Sequence, residues 1–361
     1  MIPTAAERIP VSVSPTESTA WVGAGILDDA GRYLFSPSGR FVLAGARSAG
    51  AALDPIRRSL AGRILADVEV DDGEPEKTLA SVETIADAAI AAGLRRDDAL
   101  VAVGGGVATD MAGFAAAILL RGIAWNAVPT TTAGMADTAI GGKTGVNHRL
   151  GKNLLGAFHP PAAILVDPAA LSTLPDRDYR AGLVEAYKAA WIADASLAAR
   201  AETALPSILA RDETSLLALL AGAIRIKAEI AGTDPKESGR RRLLNFGHTL
   251  GHALEAASGF GALKHGEAVA WGIAAAVAVS RRRAGLSDRD AASVLAGLSG
   301  LGPFPEPVRD RSRLEPFLAR DKKTTSRGLA SILLERIGAA RVDETVTPDE
   351  WLDAAAIMSV S

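Results

Sequence analysis

Short apolar runs alternate with helix-period stretches between Phe41 and Val166, and nothing else in the chain constrains its fold as tightly. Phe41–Ala44, Ile64–Val70, Ala99–Val103, Ala124–Val128 and Ala163–Val166 read as strands. Residues 49–60, 76–92 and 109–120 carry apolar side chains at helical spacing. This alternation implies a mostly parallel, doubly wound sheet that binds ligands beyond the carboxyl ends of its strands. Val11–Val13 and Trp21–Val22 are expected to pair as edge strands. After Leu174-Pro175 the pattern turns helical, over 179–200, 214–230, 243–257 and 266–283, with one strand at 329–334. The expected fold is α/β plus all-α. A Rossmann-like parallel-sheet domain spans residues 1–177 and a mainly helical domain spans 178–361, a length that suits two domains.

Composition removes several classes of function. The chain has no cysteine, which excludes disulfides, thiolate metal sites and cysteine nucleophiles. A net charge of -3 gives no sign of a nucleic-acid or anionic-membrane partner. The start of the chain lacks a basic segment followed by an apolar core. The longest apolar run, Ala268–Ser280, is too short to span a bilayer and reads as a buried helix. No membrane partner and a cytoplasmic location are expected.

Three of the five histidines fall in two short pieces, Asn245–His252 and Lys264–Glu267. His248 and His252 share a helix face, and His265 opens the next apolar run. Imidazoles gathered this way suit a divalent metal such as zinc, or a phosphate. Helix-packing histidines are the plain alternative; His148 and His159 read as loop residues. Glu185 and Lys188 form either a surface i,i+3 ion pair or part of a site in which Glu185 joins two histidines. Gly104–Asp110 follows a strand and opens a helix, where glycines and unpaired N–H groups suit a pyrophosphate. Glu74 and Lys77 follow an earlier strand, and Thr130–Thr132 end a later one.

The segment Asp137–Phe158 carries glycine at 141, 142, 145, 151 and 156, interleaved with Lys143, Arg149, Lys152 and Asn153. A shaped loop is expected there, anchored by Val146, Leu150, Leu154, Leu155 and Phe158, with cations offered to a phosphate or carboxylate. Lys227, Glu237 and Arg240–Arg242 read as a solvated charge run.

Seven motifs now stand in order: GGGVATDMAGF, RGIAWNAVPTTT, DTAIGGKTGVN, LGKNLLGAFHPP, RAGLVEAYK, LLNFGHTLGHALE and KHGEAVAWG. From about Gly73 to Arg283, with a weaker echo at Asp321-Lys322-Lys323, the chain resembles the 3-dehydroquinate synthases of the sugar phosphate cyclase family. The resemblance implies a homodimer that uses NAD and one divalent metal, zinc or cobalt. The implied substrate is 3-deoxy-D-arabino-heptulosonate 7-phosphate, and the products are 3-dehydroquinate and phosphate, within the shikimate pathway. The implied course is transient oxidation by NAD, phosphate elimination, re-reduction, ring opening and intramolecular aldol closure.

The same resemblance distributes roles. It makes residues 1–177 the NAD-binding domain and 178–361 the metal- and substrate-binding domain. Glu185, His248 and His265 match metal ligands, which moves His252 from the metal to the substrate phosphate. Asp137, Lys143, Lys188, Glu237, Asn245 and His252 match catalytic positions. Arg121, Lys152, Asn153, Lys227, Arg241, Lys322 and Lys323 match substrate-binding positions. Glu74, Lys77, Gly105, Gly106, Asp110, Thr130, Thr131, Thr173 and Leu174 match the cofactor side. One departure stands out. The family carries an acid just after the first strand, where it takes ribose hydroxyls, and Leu43-Ala44-Gly45-Ala46-Arg47 has none. NAD is still expected over NADP. The intact Gly141–Gly145 separates the chain from inosose and valiolone cyclases. An aminodehydroquinate synthase, or a metal-dependent polyol dehydrogenase of the same fold, is the alternative.

Overall fold

A computed structural model of the chain describes residues 6–11, 17–234, 237, 239–259, 261–322 and 330–360. The chain divides into two compact units: Met1–Tyr179 with Leu216–Pro235, and Arg180–Ser215 with Lys236–Ser361. A single cut at residue 177 does not describe this division, because 216–235 returns to the first unit.

In unit 1, β1 (Glu7–Pro10), β2 (Thr19–Val22), β3 (Phe41–Ala46), β4 (Ile64–Val70), β5 (Ala99–Gly104), β6 (Ala124–Pro129) and β9 (Ala163–Val166) form one sheet. Its order is β1-β2-β9-β6-β5-β3-β4, and only β1–β2 is antiparallel. Strands β3, β5 and β9 are buried at every residue, as expected of parallel strands covered on both faces. The strand order reverses between β3 and β5, where a ligand crevice is expected. Their carboxyl ends meet closely there. A Cβ on Gly104 would lie 2.7 Å from that of Ala46 and 2.6 Å from that of Ala108. The edge strand differs from the expected Val11–Val13: Glu7–Pro10 pairs with Thr19–Val22, and Ser12 and Val13 lie outside the described residues.

Helices α1 (Gly50–Ser59), α2 (Leu79–Ala91) and α3 (Gly106–Ile118) follow β3, β4 and β5. Thr78 caps α2 by accepting a hydrogen bond from Ser81 N, so the helix begins at Leu79, three residues later than the helical spacing alone suggested. The segment expected as a loop is instead a hairpin, β7 (Lys143–His148) against β8 (Gly151–Phe158). Its glycines explain the difference. Gly145 and Gly156 face each other, and a Cβ on either would lie 2.5 Å from Leu155 O or 2.2 Å from Thr144 O. Glycine here allows close backbone approach rather than irregularity. Of the expected anchors only Val146 is buried, whereas Leu150, Leu154 and Phe158 are 58–73% exposed.

Unit 2 is mainly helical, and no helix among the described residues is long and apolar enough to cross a membrane. Asp194 divides the expected helix 179–200 into α4 (Asp176–Ala193) and α5 (Ala195–Leu209), because its side chain caps Leu197 N. Helix α6 (Glu213–Thr233) follows in the chain, but from Leu216 onward it belongs to unit 1. The expected helix 243–257 begins only at His248, as α7 (His248–Ser258), after a 3-10 turn at Arg240–Asn245. Helix α8 (His265–Arg283) is buried along most of its length, as its apolar run required. It is followed by α9 (Asp288–Leu301), α10 (Arg311–Lys322), the ribbon β10 (Ser331–Arg336) and β11 (Ala339–Asp343), and α11 (Pro348–Ile357).

Candidate active site

Glycines bring three helices of unit 2 into contact. Gly247, at φ 80 in the left-handed region, immediately precedes α7. A Cβ on Gly272 of α8 would lie 1.9 Å from Gly247 O, and one on Gly266 would lie 1.9 Å from Ala181 O of α4. Only glycine lets α8 touch both neighbours. Glu267 fixes the start of α8 by accepting from Lys264 N at 2.8 Å.

This packing gathers His248, His252 and His265, which each offer a ring nitrogen within 4.8 Å of the others. Glu185 on α4 joins them: its Oε1 is 3.7 Å from His265 Nε2. Glu185 and Lys188 are ion-paired and each only 2% exposed, so this is not a surface pair. Neither Glu185 oxygen has a hydrogen bond of acceptable geometry. Lys188 offsets its charge, but carboxylate lone pairs buried without a hydrogen-bond donor remain costly. A divalent cation would satisfy it, and a carboxylate with imidazoles is a donor set suited to zinc or cobalt. Burial, then the positive Lys188 and the neighbouring imidazoles, hold the His248 pKa well down, in the neutral form that ligates. Burial acts the same way on His265, but the Glu255 hydrogen bond and the charges of Glu185 and Glu255 outweigh it and raise its pKa.

Around this cluster, Asn245 Nδ2 donates to Glu237 Oε1 at 2.6 Å. The supposed solvated charge run is not one. Arg241 is buried, Arg242 pairs with Glu344 at 2.9 Å, and Lys227 is buried in unit 1. Lys323 and the side chain of Lys322 lie outside the described residues.

Unit 1 builds a second polar group beside the carboxyl ends of β4 and β5. Lys77 Nζ donates to Asp110 Oδ2 and to Asn153 Oδ1, each at 2.6 Å. Asn147 links the chain further, donating to Glu74 Oε1 at 2.8 Å and accepting from Asn153 N at 2.9 Å. Lys152 Nζ stands 3.6 Å from Glu74 Oε1. Asp137 lies in a π-helical turn, an irregularity common at functional sites, and is ion-paired with Lys227. Gly105 precedes α3, with Thr131 close beside it: a Cβ on Gly105 would lie 3.1 Å from Thr131 Cγ2. Thr131 Oγ1 accepts from Gly134 N at 3.0 Å, and Thr130 N donates to Gly104 O at 2.9 Å.

Asp110 gives this group a pH signature. Burial pushes its carboxyl up to about 6, against the opposing pull of Lys77. Its contribution to stability is therefore fully present below pH 3.8 and is lost as pH rises through about 6. The span amounts to about 3 kcal/mol. Asp110→Asn should flatten the stability-versus-pH curve across this window in urea titrations. An unchanged curve would show that the Asp110 carboxyl is not shifted.

Some expected residues do not join these groups. Arg121 follows the far end of α3, separated from Gly106 by about 20 Å of helix. Lys143 pairs with Phe158, about 16 Å along the hairpin from Asn153. Thr173 and Leu174 lie in the turn before α4, where Leu174 N donates to Leu171 O. After β3, Arg47 pairs with Glu69 at 2.8 Å and Asp71 at 3.4 Å, so the end of β4 and the residue after it supply carboxylates next to the missing acid.

The family models described as 3-dehydroquinate synthase N-terminal and C-terminal match residues 67–181 and 182–324. The chain belongs to the 3-dehydroquinate synthase family. A 3-dehydroquinate synthase of Solibacter usitatus is 41% identical over 331 residues, 90% of this chain and 91% of that protein. One of Geobacter metallireducens is 43% identical over 80% of this chain and 81% of its own. Among solved structures, a 2-deoxy-scyllo-inosose synthase complexed with carbaglucose-6-phosphate, NAD+ and Co2+ is 25% identical, with a TM-score of 0.86 over 98% of this chain and 100% of that one. A 2-epi-5-epi-valiolone synthase of Streptomyces hygroscopicus with NAD+ and Zn2+ is 29% identical, with a TM-score of 0.85 over 96% and 97%. An iron-containing alcohol dehydrogenase, 15% identical with a TM-score of 0.67 over 98% and 100%, shares the fold alone.

Two polar residues of these groups were not singled out from sequence. Glu255 sits three residues after His252, one turn along the same helix face, and that spacing was the available signal. Asn147 stood inside the DTAIGGKTGVN motif, but its links to Glu74 and Asn153 depend on the hairpin.

Proposed function

We propose that this member of the 3-dehydroquinate synthase family converts 3-deoxy-D-arabino-heptulosonate 7-phosphate into 3-dehydroquinate and phosphate. The observation that carries the reading is the buried Glu185, without hydrogen bonds, beside three clustered imidazoles. Glu185, His248 and His265 would hold a divalent metal, and His252 would face the substrate phosphate. Bound NAD would supply a hydride acceptor, and the metal would polarise a secondary alcohol.

The chain's own residues account for the rest. Lys77 and Asp110, beside the glycine turn at Gly105 and Gly106, would hold the cofactor, with Glu74, Thr130 and Thr131 on the same side. Lys152, Asn153, Lys227 and Arg241 would bind the substrate at its anionic groups. Positive charge near a departing phosphate stabilises the charge that develops as its C–O bond breaks. The phosphate itself can accept the proton lost from the neighbouring carbon, so no side chain is required for that transfer. Asn245 and Glu237, hydrogen-bonded together, and Lys188, ion-paired with Glu185, would orient groups at the reacting end.

The full-length protein, given the heptulosonate phosphate with catalytic NAD and zinc or cobalt, should release phosphate without accumulating NADH. Steady NADH production from a simple polyol, with no phosphate release, would instead make it a dehydrogenase. Tighter binding of NADP than NAD in a titration would overturn the cofactor choice. We also infer a homodimer, because Arg121 stands far from the Lys77 group of its own chain and a second copy could supply it. The exposed Ile118, Leu120, Leu154 and Phe158 give such a copy apolar surface. A monomer by sedimentation at micromolar concentration would overturn the homodimer.

A further inference from the structure

The geometry points to Glu255 as the residue that positions His265, accepting its Nδ1–H and so leaving Nε2 aimed at Glu185. The inference rests on the metal reading above and extends it to a residue outside the ligand set. Glu255 lies on α7 and His265 begins α8, ten residues later in the chain. The two ring nitrogens of His265 face different carboxylates: Nδ1 is 3.3 Å from Glu255 Oε2, and Nε2 is 3.7 Å from Glu185 Oε1. Glu255 is itself largely buried, with 13% of its side chain exposed.

A neutral imidazole carries one proton, so the acceptor at one nitrogen decides which nitrogen keeps a lone pair. An anionic acceptor at Nδ1 places the proton there and leaves Nε2 free to donate its pair. It also raises the basicity of that pair and fixes the ring plane. Phe246 O does the corresponding work for His248, whose Nδ1 lies 3.2 Å away. The difference is chemical. A backbone carbonyl cannot be removed by substitution and carries no net charge, whereas Glu255 is anionic and can be tested. His265 also needs the help more, since it is the more exposed ring and starts its helix, where nothing before it in α8 restrains it.

The test uses full-length protein stripped of metal, with cobalt(II) as the probe in competition with a chromophoric chelator. Glu255→Ala should weaken cobalt affinity about 10–100-fold and alter the visible spectrum of the bound ion. Glu255→Gln should recover most of both, because its amide oxygen can accept the same hydrogen bond. Histidine side-chain 15N shifts of the metal-free protein should report Nδ1–H for His265 in the parent and an altered tautomer balance in Glu255→Ala. Parental affinity and spectrum in Glu255→Ala would overturn the role, as would a Glu255→Gln variant no better than alanine. Should the alanine variant not fold, a Glu255→Gln variant whose His265 shows an even tautomer mixture would overturn it too. Failure of the parent to bind cobalt would strike the metal reading instead, while the metal-free 15N shifts would still decide the tautomer.

Discussion

His265→Ala should give a folded protein that neither retains a divalent ion nor releases phosphate. The ring is partly open to solvent at the first position of α8, so its loss leaves no core void and alanine suits a helix. What disappears is the ring nitrogen standing 3.7 Å from the Glu185 carboxylate. Turnover should fall about a thousandfold or more, equivalent to at least about 4 kcal/mol of transition-state stabilisation. Metal content after dialysis, circular dichroism and phosphate release measure the three parts separately. Full activity would exclude His265 from the site, and loss of the helical signal would make its role structural.

Gly266→Ala should damage the same site by another route. The added Cβ would sit 1.9 Å from Ala181 O, a backbone atom that no rotamer change can move. Helix α8 must therefore back away from α4, carrying His265 from Glu185. Alanine's helix propensity favours the substitution by about 1 kcal/mol, but overpacking of this kind costs about 1–3 kcal/mol. The clash also cannot relax locally, so it should win. The metal-free protein should melt several degrees lower, and cobalt binding should weaken sharply. Melting must be compared without metal, since a ligand that binds only the folded state would add its own stabilisation. An unchanged melting temperature together with unchanged cobalt binding would show that the two helices can part without consequence.

The sheet was legible because strands buried on both faces must be apolar throughout, and β3, β5 and β9 announce themselves that way. The hairpin was not. Glycine lowers strand propensity, and only the cross-strand pairing of Gly145 with Gly156 shows that each makes room for the other's backbone. Glu185 could be read from spacing as an ordinary surface pair with Lys188. Its burial follows from the close approach of α8, which a linear pattern does not contain. The three histidines were visible as a cluster, but the mutual approach of all three ring nitrogens was not. His248 and His252 share one helix face, and spacing alone favours that pair over His248 with His265. Asp194 escaped notice because helical periodicity continues through it, while its side chain caps the next helix.

The return of Leu216–Pro235 to the first unit bears on how the molecule can be taken apart. Asp137 and Lys227 are ionic partners ninety positions apart, with Arg180–Ser215 intervening. A gene split or proteolytic nick after Tyr179 would leave one fragment holding a half-buried carboxylate whose lysine travels with the other. Dissecting this protein into two autonomous pieces therefore calls for a circularly rearranged or grafted chain, not a simple truncation.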